Sequence, residues 1–135
     1  MKYYQLFLDD VRNPKAVSLY KQNPVYTQDN WVVVRTYEQF IGLVSENFAQ
    51  GLLPSLVSFD HDLVKSHYVQ GVLTNFASFD ENKASSPTGW HALAWFLKFH
   101  QVNDLALPEI LFHSKNNGGV SNMKALLDEY NNFKH

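Results

Sequence analysis

Trp31-Val32-Val33-Val34-Arg35-Thr36-Tyr37-Glu38-Gln39-Phe40-Ile41 is the stretch from which the fold can be read. An aromatic and three β-branched residues open it, a composition that packs on a pleated surface and predicts a strand. Thr36 followed three positions later by Gln39 has the pattern of a capping box, which starts a helix directly after that strand. Tyr37, Phe40, Ile41, Val44 and Phe48 recur at helical spacing, and Gly51 stands where a left-handed residue would end the helix. Pro54 then leads into Leu56-Val57-Ser58-Phe59, an apolar run read as a second, buried strand. Strand, helix and strand in so short a span form a βαβ unit.

The alternation extends in both directions. Tyr3 to Leu8 is a short, aromatic-rich strand that ends in Asp9-Asp10. Val11-Arg12-Asn13-Pro14 turns the chain, with Pro14 holding Asn13 extended. Lys15 to Gln22 carries a short helical pattern that Pro24 and Asn30 keep from growing. Residues 64–87 show no sustained period. Their Ser, Asn, Gly and Lys content, interleaved with Tyr68, Phe76 and Phe79, predicts an ordered inserted loop of the lid or binding kind. Thr88 restarts regular structure as an N-cap, and Trp90, Leu93, Ala94 and Leu97 form one apolar face running to about His100. Glu109-Ile110-Leu111-Phe112 is a fourth strand, delivering His113-Ser114. A polar turn over Lys115–Gly119 follows, and Ser121 is expected to cap a last helix facing inward with Met123, Leu126, Leu127 and Tyr130. Strands alternating with amphipathic helices predict a single α/β domain over residues 1–135. Its expected form is a flavodoxin-like three-layer sandwich around a short, mostly parallel four-stranded sheet.

Composition narrows the classes of function. The 135 residues, 45% of them hydrophobic, are enough for one well-packed core. A net charge of −2 gives no general attraction to nucleic acid or anionic membrane, so general DNA binding is not expected. The absence of cysteine removes disulfides, thiolate metal sites and cysteine nucleophiles. No run reads as a signal peptide or a membrane span, so a soluble, cytoplasmic protein is expected. Oligomeric state leaves no mark on the sequence.

Right-handed crossovers bring the C-terminal ends of parallel strands to one edge, and open α/β sheets bind ligands there. Three strands of this chain end in polar groups: Asp9-Asp10, Asp60-His61-Asp62 and His113-Ser114. Each alone is ordinary, since an Asp after a strand commonly forms a turn and a lone His commonly serves structure. Together they are not. Four carboxylates at adjacent strand ends repel one another, which raises some of their pKa values or demands a cation. A fold does not normally assemble that cost without using it.

Leu6-Phe7-Leu8-Asp9-Asp10-Val11-Arg12, Ser58-Phe59-Asp60-His61-Asp62-Leu63, Thr88-Gly89 opening a helix, and His113-Ser114-Lys115-Asn116 together resemble the cyclic-phosphate-processing receiver-like domains of bacteria and phages. The set spans residues 6–119. The resemblance implies a receiver-like fold and a phosphodiesterase-like hydrolase acting on an RNA 2′,3′-cyclic phosphate end or a cyclic nucleotide derivative. It implies that His61 and His113 share the acid and base roles, with Asp62 or Asp10 orienting an imidazole. Asp9, Asp10 and Asp60 would hold Mg²⁺ or another divalent cation. Arg12, Ser114, Asn116, Gly118 and Thr88 would contact the substrate.

A more distant similarity is to response-regulator receivers, where an acidic pair after strand one and an aspartate after strand three hold Mg²⁺ and accept a phosphoryl group. It implies two alternatives: a phosphoacceptor receiver using Asp60, or a non-catalytic module binding a phosphorylated ligand or partner protein. A fifth strand with its lysine has no counterpart here, and His61 and His113 are foreign to ordinary receivers. Val64 where glycine is common in the closer family, Asn117 where proline is common, and the 64–87 insertion all bear on which substrate is taken. Among the remaining residues, His67 and His135 read as solvated, His91 as structural, His100 as suited to a helix C-terminus, and Gly119 as a tight turn.

Overall fold

A computed structural model of the chain describes residues 2–64, 67, 79–84 and 86–133. Four strands, β1 (Lys2–Leu8), β2 (Trp31–Val34), β3 (Leu52–Phe59) and β4 (Glu109–Phe112), form one sheet in the order β2-β1-β3-β4. Every neighbouring pair is parallel. The helices are α1 (Pro14–Val17), α2 (Tyr37–Ala49), α3 (Gly89–Val102) and α4 (Asn117–Phe133), with short 3-10 turns at Pro24–Thr27 and Glu81–Lys83.

From β1 the chain steps outward to β2, then back across β1 to β3 and on to β4. Right-handed connections therefore put the β1–β2 link on one face of the sheet and the later links on the other. The packing follows. Leu6, Leu8, Val57 and Phe59 face a core completed by Phe40 and Val44 of α2, Leu93 and Phe96 of α3, and Met123 of α4. The opposite face is thinner: Phe7 packs with Val17 of α1 and Tyr26 of the first 3-10 turn. The change of direction falls between β1 and β3, so their C-terminal ends flank the switch point where such sheets bind ligands.

Local chemistry explains the boundaries. Thr36 Oγ1 accepts from Gln39 N at 3.0 Å, while Gln39 Oε1 accepts from Arg35 N at 2.8 Å rather than from Thr36 itself. Gly51, at φ +79°, lets the chain leave α2 and enter β3 at once. β3 begins four residues before Leu56, so Pro54 lies inside a central strand. A register shift leaves Ser55 as an extra residue against β1, and β4 pairs only from Leu56 onward. Pro54 is thus confined to a bulge, where the loss of an N–H is tolerated.

Two expectations need correction. α4 starts at Asn117 rather than at Ser121, because Asn116 is the cap: its Oδ1 accepts from Gly119 N at 3.0 Å. Asn caps as well as Ser, so the earlier polar residue wins and Gly118-Gly119 belong to the first turn. His67, expected in solvent, is buried. Its Nδ1 accepts from Leu63 N at 2.9 Å and its Nε2 donates to Ser86 O at 3.0 Å, so a neutral ring is fully satisfied. Of the inserted loop, residues 65–66, 68–78 and 85 lie outside the described residues, as does His135. No helix among the described residues is long and apolar enough to cross a membrane.

Candidate active site

Strand register builds the site. Leu8, Phe59 and Phe112 are aligned across the sheet. One residue further, Asp60 N donates to Leu8 O at 2.9 Å, His113 N to Phe59 O at 3.1 Å, and Asp9 N to Val34 O at 3.1 Å. Asp9, Asp60 and His113 therefore form a row at the sheet edge. Side chains alternate along a strand, so this row points to the same side as Phe7, Ser58 and Leu111. His61, one residue later, turns to the other side, against α4.

The row is buried: Asp9 and His113 are inaccessible and Asp60 is 3% exposed. His113 stacks on Phe7 with ring centroids 4.3 Å apart. Its Nε2 lies 3.1 Å from Asp9 Oδ2 and its Nδ1 2.7 Å from Ser58 Oγ, which is 2.7 Å from Tyr26 Oη. Burial pushes the His113 pKa down, against the pull of Asp9, so the ring is neutral. A single ring proton leaves two tautomers. With it on Nε2, His113 donates to Asp9 and accepts from Ser58. With it on Nδ1, the Ser58–Tyr26 relay reverses and Nε2 offers a lone pair to a cation.

Burial would raise Asp9, but donors from His113, Arg12 N and Val11 N hold it below the usual carboxylate range. Asp60 goes the other way: burial, then the charge of Asp9, push it up to about 8 against a bond from Ser114. Asp9 thus carries the charge while Asp60 keeps a proton at neutral pH.

His61 belongs to a separate network. Its Nδ1 is 2.7 Å from Asp62 Oδ1 and its Nε2 2.8 Å from Glu81 Oε2. Two carboxylates on opposite nitrogens require both ring N–H groups, an imidazolium. Burial opposes that charge, but Asp62 and Glu81 outweigh it and push the pKa up to about 9. The ring is inaccessible, with Phe79 edge-on at 4.3 Å. Gly119 makes room for it, since a Cβ there would lie 2.3 Å from His61 Cγ. Gly119 is therefore more than a tight turn.

The other expected residues fall around these two networks. Asp10 is half-buried, and burial with the charge of Asp9 raises its pKa. Arg12 Nη1 sits 3.6 Å from Asp9 Oδ2. Ser114 Oγ accepts from Asn116 N at 3.1 Å, and Asn116 Nδ2 donates to Asp62 Oδ1 at 2.9 Å. Gly118 is buried in the first turn of α4. Thr88 caps α3, and His91 closes that cap by accepting from Thr88 N at 2.9 Å. His100, in the last turn of α3, donates from Nδ1 to Phe96 O at 2.8 Å.

Sequence reasoning missed five contributors. Ser58 and Tyr26 complete the His113 relay. Glu81 and Asn122 complete the His61 network, with Asn122 Nδ2 donating to Glu81 Oε2 at 2.8 Å. Arg35 Nη1 donates to the carbonyls of Asp9 and Arg12, pinning the turn after β1. Only Ser58 left a signal: a hydroxyl in an apolar strand, two positions before Asp60 and so on the same face.

Asp9, Asp60 and His113 each offer a ligand atom, all within 4.8 Å of one another. The mutual repulsion of the two carboxylates is what a cation would relieve, so the donor set fits one. Asp10 is not part of this compact group, whereas His113, expected as a catalyst, is.

Comparison with curated proteins gave no significant match, and comparison with solved structures gave none either. A family model does match, over residues 4–129, nearly the whole of the strand-and-helix frame and every residue of both networks. The chain belongs to the cyclic-phosphate processing receiver domain family.

Proposed function

We propose that the strand-end site hydrolyses a cyclic phosphate, with His61 as acid, Asp62 orienting it, and His113 as base. Family membership implies a role in cyclic-phosphate processing. The observation that carries the finer reading is the opposite state of the two imidazoles: His61 is held protonated, up to about 9, while His113 is held neutral by burial. Groups whose environments drive their pKa values apart are what acid and base roles require. In-line displacement needs the entering water and the leaving sugar oxygen on opposite sides of phosphorus. An acid and a base on opposite sides of the strand-end row suit that demand. Reaching either histidine requires its present carboxylate to leave.

Asp9 and Asp60, with Asp10 beside them, would hold a divalent cation, which when bound would neutralise phosphoryl charge and leave the His113 ring nitrogen for the base role. Arg12, Ser114, Asn116 and Thr88 are the remaining phosphate contacts in this reading, with Gly118 supplying backbone at the start of α4. The substrate is an RNA 2′,3′-cyclic phosphate end or a cyclic nucleotide.

One observation favours a non-catalytic module that binds a phosphorylated ligand: every ring nitrogen of both histidines already has a hydrogen-bond partner. The test is turnover of 2′,3′- and 3′,5′-cyclic nucleotides and cyclic-phosphate RNA ends, with and without divalent cations. His61→Ala and His113→Ala should each lower kcat by about 10²–10⁴-fold. Undiminished turnover in both variants refutes the roles, and binding without turnover selects the non-catalytic module.

A further inference from the structure

Glu81 comes from the 3-10 turn Glu81–Lys83, within the inserted loop, yet its carboxylate is folded inward onto donors from three separate places. Thr88 Oγ1, at the cap of α3, donates to Oε1 at 2.8 Å. Asn122 Nδ2, from α4, donates to Oε2 at 2.8 Å. His61 Nε2, at the end of β3, lies 2.8 Å from Oε2 and 3.1 Å from Oε1. A charged donor and two neutral ones converging on one small oxyanion are what recognition of a phosphoryl group asks for. Here the chain fills that cradle with its own carboxylate.

We propose that His61, Thr88 and Asn122 form a phosphoryl-oxygen subsite, that Glu81 is an internal occupant of it, and that ligand phosphate binds by displacing Glu81. The proposal rests on the cyclic-phosphate reading for the class of anion alone. Three features of the surroundings support it. Glu81 also lines a cleft of about 530 Å³ with Phe79, Asn82, Trp90 and Asn122, so its side chain has somewhere to go without disturbing the core. It belongs to a turn of three residues, not to a long helix or a strand, so its movement breaks little backbone structure beyond those side-chain bonds. Displacement would also free the Nε2–H of His61, the proton that the acid role needs. Asn122 thereby becomes a ligand contact although it lies outside all the sequence motifs, and Glu81 becomes the residue that sets how readily the site opens.

An internal occupant lowers apparent affinity by the fraction of molecules in which the site is open. Inorganic phosphate and 2′,3′-cyclic AMP, titrated by calorimetry against the full chain, test this. Glu81→Ala should bind both at least about tenfold more tightly than the wild type if the occupied state prevails by about tenfold. Adding Thr88→Val or Asn122→Leu to Glu81→Ala should remove most of that gain. A gain that survives loss of both donors is a general charge effect and overturns the subsite, as does a Glu81→Ala protein that binds neither probe more tightly. Tightening for 2′,3′-cyclic AMP alone assigns the subsite to esters, and tightening for both assigns it to the phosphate group.

Hydrogen exchange on the wild-type chain gives a second readout that needs no variant. Saturating phosphate, compared with sodium chloride at equal ionic strength, should speed exchange of the Asn82, Lys83 and Ala84 amides, which are bonded within the turn. Unchanged or slower exchange overturns displacement. Neither readout requires turnover. An inactive protein whose phosphate affinity responds to Glu81 refutes the catalytic reading alone, and an active one indifferent to Glu81 refutes the subsite alone.

Discussion

Gly119→Ala tests the packing on which the His61 network depends. A methyl group at residue 119 would lie 2.3 Å from His61 Cγ and 2.6 Å from both Cδ2 and Nδ1. Carbon atoms in contact sit at about 3.5–4.0 Å, so the ring would have to retreat by more than an ångström. It has little freedom to do so, being fixed at Nδ1 by Asp62 and at Nε2 by Glu81. Overpacking costs about 1–3 kcal/mol, and stretching a hydrogen bond to a charged group about 1.5–3 kcal/mol more. Alanine's better helix propensity returns about 1 kcal/mol, leaving a net loss of roughly 1.5–5 kcal/mol. For a chain of this size that lowers Tm by roughly 6–20 °C. Urea unfolding followed by circular dichroism measures the loss. The decisive comparison is a double-mutant cycle: in a His61→Ala background the obstruction is gone, and Gly119→Ala should become neutral or stabilising. A loss below about 0.5 kcal/mol in the wild-type background, or the same loss in both backgrounds, would refute the reasoning.

Gly42→Ala is the opposite case. Apart from the adjoining backbone of α2 itself, no atom lies within 4 Å of a Cβ built there, so it should stabilise by about 0.5–1 kcal/mol, read as a higher urea midpoint. A lower midpoint contradicts the open space. Asp60→Asn should give a pH-dependent gain. The folded chain holds the Asp60 proton to about 8 against an ordinary 3.8, so its stabilising effect is complete below about pH 4 and lost as pH rises through 8. Melting in a chelator should therefore show the Asn variant more stable at pH 8 and the difference shrinking toward pH 4; a pH-independent difference rejects the assignment. Tyr26→Phe removes one end of the buried relay to Ser58 and His113 while keeping the ring stack on Trp31, and should cost about 1 kcal/mol. A variant as stable as the wild type in urea would show that the hydroxyl contributes nothing net.

Much of the frame was legible because it depends on neighbours in the chain. The strand at Trp31–Val34 and the cap at Thr36 rest on local sterics and hydrogen bonds, and so does the Gly51 turn. The same is true of the strand at Glu109–Phe112. Misreadings arose where two local solutions compete or where the partner is remote. Asn116 and Ser121 are both sound caps, and the choice went to the one whose own side chain also reaches Asp62. Nothing near His67 in sequence shows that Ser86 will accept from it, so its burial is invisible to a local reading.

By itself, the sequence determined that three strands end in Asp9-Asp10, Asp60-His61-Asp62 and His113-Ser114, and that parallel topology brings those ends to one edge. Which of these residues meet was decided by tertiary structure. Register sets His113 beside Asp60 rather than beside His61. Because side chains alternate with a period of two, that single-residue offset sends the two histidines to opposite sides of the strand row. One becomes a neutral ring in an acidic, cation-sized group, and the other a charged ring clamped by Asp62 and a carboxylate twenty residues further on. Periodicity is a local property that any strand displays, whereas register is settled only when whole strands pack.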